Sequence, residues 1–103
     1  MTQGHWLPMA YRGFYDIPRM VAVTLGETTY LLDCPFDESL DDYSPYFVVY
    51  QLPAGLEDLQ REAAWNELPG MGRRVGRVPV DKVEFDASRR ETISTSFLDH
   101  LEP

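Results

Sequence analysis

Apolar and polar positions alternate most regularly on either side of Gly26-Glu27, across residues 20–25 and 28–34. Glycine tolerates the positive φ needed at the first central position of a two-residue type II′ turn, so the pattern predicts a β-hairpin. Pairing across that loop matches Leu25 with Thr28, Val23 with Tyr30, Val21 with Leu32 and Arg19 with Cys34 on one face. Thr24 with Thr29, Ala22 with Leu31 and Met20 with Asp33 fall on the other. The large apolar pairs gather on the first face, and a slip of one residue would turn all of them outward, so the pattern fixes the register.

Residues 46–52 are apolar on both faces, as in a central strand covered on each side, and Pro53 ends the run. The period then changes. Leu56, Leu59 and Ala63 recur at helical spacing, Trp65 and Leu68 continue an apolar side, and Glu57 and Asp58 suit a first turn. One amphipathic helix is expected over about residues 54–68, stopped by Pro69-Gly70. Residues 71–76 read as a Gly- and Arg-rich loop. In residues 77–86 the alternation of Val78 and Val80 slips to Val83 and Phe85, which predicts a turn or bulge at Pro79 to Lys82. Residues 10–16 carry three aromatics and read as a first strand or structured turn. Residues 91–95 lean toward β, and 97–101 toward a short helical turn capped by Ser96. The whole is an α+β, mainly β chain. It predicts a small, partly open antiparallel barrel or curled sheet of about five strands with one helix, residues 1–103 forming a single domain.

Gly76-Arg77-Val78-Pro79-Val80-Asp81-Lys82-Val83 resembles the Gly-x-Ile/Val-Pro-x-x-x-Val segment near the end of SH3 domains, and Phe14-Tyr15-Asp16 is similar to their aromatic-acidic start. The resemblance implies a short 3₁₀ turn after Pro79 that leads into the last strand. The chain departs from that family in lacking the tryptophan pair of its third strand, since Trp65 falls on the expected helix. Fold likeness of this kind does not carry function.

Seventeen acidic residues against nine Lys and Arg give a net charge of −8. A field of that sign repels phosphate backbones, so nucleic acid is not an expected partner; a basic protein is. No basic run followed by an apolar run opens the chain, and no apolar run could span a bilayer, so neither export nor a membrane partner is expected. One cysteine, Cys34, gives no disulfide framework, and the cytoplasm is the expected compartment.

Little in the sequence is arranged for catalysis. Cys34 has His5 and His100 only at a distance, and the hairpin register turns it toward Val21 and Leu32 as a small buried apolar residue. The acidic stretch 37–42 lacks the glycine and terminal glutamate of a calcium loop. No catalytic residue, metal ligand set or cofactor is expected. Residues 70–77 form the one basic spot, where Arg73, Arg74 and Arg77 make an anion site conceivable, although no phosphate-loop or dinucleotide fingerprint is present.

The surface that stands out is 36–46. There Asp37, Glu38, Asp41 and Asp42 interleave with Phe36, Tyr43 and Tyr46, and Pro35 and Pro45 bound the acidic loop. Acids steer a basic partner inward, aromatics supply contact area, and prolines limit the ordering cost. A non-enzymatic interaction domain is therefore expected, an acidic inhibitor or immunity-type protein being one version. The alternative is a small ligand-binding protein or enzyme using Arg73, Arg74, Arg77 and His100. A homodimer through Ala22 and Leu31 is a third.

Overall fold

Pro8 lacks the N–H that a strand ladder needs, and it falls where the first strand changes partners. Strand β1 (Trp6–Arg12) pairs through Trp6, Leu7 and Pro8 with residues 92–94, then through Met9 to Arg12 with residues 20–23. One strand thus belongs to two ladders, and the sheet bends along it. The strand begins earlier than the expected segment 10–16, because Trp6 and Leu7 find partners on the late residues Ser94 and Ile93. The computed structural model describes residues 6–13, 17–86 and 89–103, the side chains of 89–91 excepted. Phe14, Tyr15 and Asp16, and with them that part of the SH3 resemblance, lie outside the described residues, as does His5.

Strands β2 (Met20–Leu25) and β3 (Thr28–Asp33) form the hairpin in the expected register, from Leu25 opposite Thr28 to Met20 opposite Asp33. Gly26 has φ +63° and Glu27 keeps a negative φ, as a type II′ turn requires. The amide of Cys34 donates to the carbonyl of Arg19 at 2.7 Å and extends the pairing one step further. A two-stranded ladder follows, β4 (Phe36–Asp37) with β5 (Asp42–Tyr43). Strand β6 (Tyr46–Leu52) then runs between β3 and the later strand β7 (Arg73–Pro79), central as expected, with Phe47 and Val49 buried and Val48 and Tyr50 on the other face half-buried. After β7 come β8 (Phe85–Asp86) and β9 (Arg89–Ser94). The seven-stranded antiparallel sheet has the order β7-β6-β3-β2-β1-β9-β8.

The chain leaving β9 passes through a 3₁₀ segment, Thr95–His100, and its end returns to the far edge of the sheet. There the backbones of Glu102 and Arg77 exchange two hydrogen bonds of 2.7 Å. The curl brings opposite ends of the sheet toward each other, and the fully buried Phe97 of the 3₁₀ segment fills the interior. Val21, Val23, Leu32, Phe47, Val49 and Ile93 line that interior, as the alternation demanded. The cap of the 3₁₀ segment is Ser94 rather than Ser96; its hydroxyl accepts from the Ser96 amide at 3.2 Å.

The opposite face of the hairpin is also covered. Ala22, Leu31 and Leu52 lie under Leu59 and Leu68. The expected single helix over 54–68 is instead three short pieces: α1 (Leu56–Gln60), a 3₁₀ turn at Trp65–Glu67, and α2 (Leu68–Met71). In an unbroken helix Leu59 and Leu68, nine residues apart, would stand about half a turn out of phase and point in opposite directions. Breaking the helix between them lets both reach the same apolar surface. Pro69 does not stop the helix; it occupies the first turn of α2, where its missing N–H costs nothing.

Residues 73–76, expected in a loop, belong to β7. A register shift opposite Val49 and Tyr50 absorbs Val75 as the extra residue of a bulge. A 3₁₀ turn at Val80–Lys82 follows Pro79, where the slip in alternation fell. It leads into β8 and not into the last strand, which is β9.

Candidate functional site

The acidic stretch is a braced turn. Phe36 and Tyr43 face each other across the β4–β5 ladder with ring centroids 5.4 Å apart and planes at 87°. An edge-to-face pair of this kind adds about 0.5–1.5 kcal/mol beyond area burial. At the tip, Asp37 Oδ1 accepts from the Ser39 hydroxyl at 2.6 Å and from its amide at 2.9 Å. These bonds favour the ionised carboxylate and hold Asp37 below the usual carboxylate range. Asp41 takes φ +53°, a left-handed conformation that aspartate tolerates better than most residues. Asp42 Oδ1 accepts from the Tyr43 amide at 2.7 Å.

The base of the turn is tied to the sheet. The Ser44 amide donates to the Pro35 carbonyl at 2.8 Å, and the Val80 amide to the Pro45 carbonyl at 2.9 Å. Cys34 is buried, and its thiol donates to the Ser44 carbonyl at 3.2 Å. The Arg19 guanidinium lies 3.4 Å from the same sulfur and 4.2 Å from the centroid of the Tyr43 ring. Burial pushes the thiol up, more than the neighbouring Arg19 brings it down, and Cys34 packs in the core.

The seven residues singled out in 36–46 divide into two sets. Phe36, Glu38, Asp41 and Asp42 are exposed, and Asp37 joins them at the tip. Tyr43 packs inward on the core beneath Arg19, and Tyr46 is half-buried with the Arg77 guanidinium 4.1 Å from its ring centroid. Phe36 is 53% exposed, and Leu40, which carries no sequence motif, is 56% exposed. Its only signal was its place between polar neighbours in a loop, where an apolar residue has nothing to pack against.

Arg73, Arg74 and Arg77 do not form a loop around a pocket. They lie on β7, Arg73 donating to Gln51 Oε1 at 2.8 Å and Arg77 paired with Glu102 at 3.3 Å. His100 is exposed on the 3₁₀ segment. Ala22 and Leu31 are buried beneath α1 and α2, so the hairpin face considered for a homodimer is not exposed. Among the described residues no group of three or more His, Cys, Asp or Glu is placed to hold a metal ion.

A cleft of about 530 Å³ adjoins the turn. Tyr43 is a wall common to both, and Arg12, Arg19, Met20, Asp33 and Trp65 line the rest. The chain matches no protein-family model, no curated protein and no solved structure.

Proposed function

We propose that the protein is a non-enzymatic interaction domain whose acidic–aromatic turn docks on a basic protein or peptide. One observation carries this reading. Phe36 and Leu40 are two of the four large hydrophobic residues exposed among those described, and both stand on the same braced turn as Asp37, Glu38, Asp41 and Asp42. Exposed apolar side chains set among carboxylates are the composition of a docking surface. Bonds within the turn have already met the ordering cost, so little entropy is lost on association. The carboxylates steer a cationic partner and disfavour nucleic acid. An acidic inhibitor is one form such a domain takes. The buried reduced thiol suits the cytoplasm.

The test is calorimetric titration with a short peptide of alternating lysine and leucine, with an all-lysine peptide as control. Asp41→Asn with Asp42→Asn is preferred to charge reversal, because asparagine tolerates the left-handed φ of residue 41 and keeps the acceptor at residue 42. The double variant is expected to bind about tenfold more weakly, with a shallower salt dependence. Leu40→Ser is expected to weaken the lysine–leucine peptide selectively. Equal affinity of wild type and double variant at low salt would remove the turn as the interface.

A further inference from the structure

A strand at the end of a sheet offers the amides and carbonyls of its outer edge to any extended chain that reaches them. β7 is such a strand, paired on its inner side with β6. Among the described residues, Arg77 is the only one of β7 that pairs on the outer side, and it does so with Glu102 through two backbone bonds of 2.7 Å. Gly76 opens this edge to a second backbone, since the β-carbon it lacks would strike the Glu102 carbonyl. The occupying segment adds side-chain contacts. Leu101 packs on the core beside Gly76, and the Glu102 carboxylate pairs with the Arg77 guanidinium at 3.3 Å. Both side chains of that pair are a little under half exposed, so the clasp is weak. Arg73 and Arg74 are exposed on the same strand. Arg77 and Arg74 lie opposite Val48 and Tyr50, two residues apart on β6, so the bulge at Val75 places both arginines on one face of the sheet. Their cross-strand neighbours carry no charge, and in a chain of net charge −8 this edge is a local basic track.

We propose that the outer edge of β7 takes an extended acidic–apolar segment of a partner protein as an added strand, and that residues 101–103 hold that place in its absence. The pairing of Arg77 with Glu102 is antiparallel and sets the direction of the added strand. Backbone bonds to β7 supply affinity, carboxylates on one face meet Arg77 and Arg74, and an apolar side chain takes the place of Leu101. This edge calls for a partner of the opposite charge to the one that suits the turn at residues 36–44.

The probe is a short labelled peptide of alternating valine and glutamate, titrated into the full chain and read by fluorescence anisotropy. The same peptide with methylated backbone amides keeps the side chains and loses the donors. The unmodified peptide is expected to bind saturably, at least about tenfold tighter than the methylated one. Its binding is expected to shift the backbone amides of residues 73–78 and 101–103. Glu102→Gln loosens the resident segment and is expected to tighten the peptide about two- to fivefold, whereas Arg74→Gln weakens it by a similar factor. Asp41→Asn with Asp42→Asn removes two charges elsewhere and is expected to leave affinity within about twofold, which separates this edge from basic-partner docking. No saturable binding, equal binding of the methylated peptide, or amide shifts that bypass β7 would overturn the proposal. So would unchanged affinity in both Glu102→Gln and Arg74→Gln with native melting curves, or self-association that the peptide does not reverse, which would assign the edge to a second copy.

Discussion

Asp33 and Cys34 are neighbours in sequence with opposite fates on the sheet. Parity alone placed Cys34 inward, on the side of Val21 and Leu32, and the thiol is buried there. Asp33 falls on the other face, between Met20 of β2 and Val48 of β6. Burial disfavours its charged form and raises it above the usual carboxylate range. A carboxyl raised in the folded state opposes folding once pH climbs through its raised value, and costs nothing below its ordinary one. Asp33→Asn is therefore expected to raise the melting temperature near neutral pH and to give no gain in acid below the carboxylate range. A gain of equal size at both pH values would show that charge is not the cause. Parity could not have shown this, because Asp33 is desolvated by its surroundings on the outer face and the sequence does not say what covers that face. The same limit hid Leu40, whose exposure depends on the tip geometry at Asp41.

At the scale of elements, local rules worked where local rules decide. Gly26-Glu27 set the hairpin, its register and both faces without tertiary information. They failed between residues 54 and 71, where packing on Ala22, Leu31 and Leu52 overrode helical continuity. A trace of the break was present in the sequence. Leu56, Leu59 and Ala63 share one helical face, whereas Trp65 and Leu68 fall out of phase with it. Residues 73–76 read locally as loop because glycine and arginine dominate there, yet β6 recruits them into pairing. Gly76 is needed for a different reason from Gly26. A β-carbon at residue 76 would strike the Glu102 carbonyl and crowd the Leu101 side chain. Gly76→Ala is expected to dislodge residues 101–103 from β7 and cost about 1–3 kcal/mol, read as a lower denaturant midpoint. An unchanged midpoint would mean that the Arg77–Glu102 pairing closes nothing.

Across the whole molecule, the curl of one antiparallel sheet separates two kinds of surface. Phe97 fills its concave side, and α1 and α2 cover Ala22, Leu31 and Leu52 on its convex side. The turn that projects between β3 and β6, with the cleft at its foot, stands outside both cores. Among the described residues no helix is long and apolar enough to cross a membrane. The mainly β, curled-sheet class was legible because strand parity repeats along the chain. The cleft was not, since Arg12, Asp33 and Trp65 come from three separated segments that only the fold brings together. The most direct measurement is a map of backbone amide shifts in the intact protein as the lysine–leucine peptide is added. Saturable shifts concentrated in residues 36–44 are expected, fading as salt is raised. Shifts spread evenly over the acidic residues of the chain, or confined to residues outside that turn, would contradict the account.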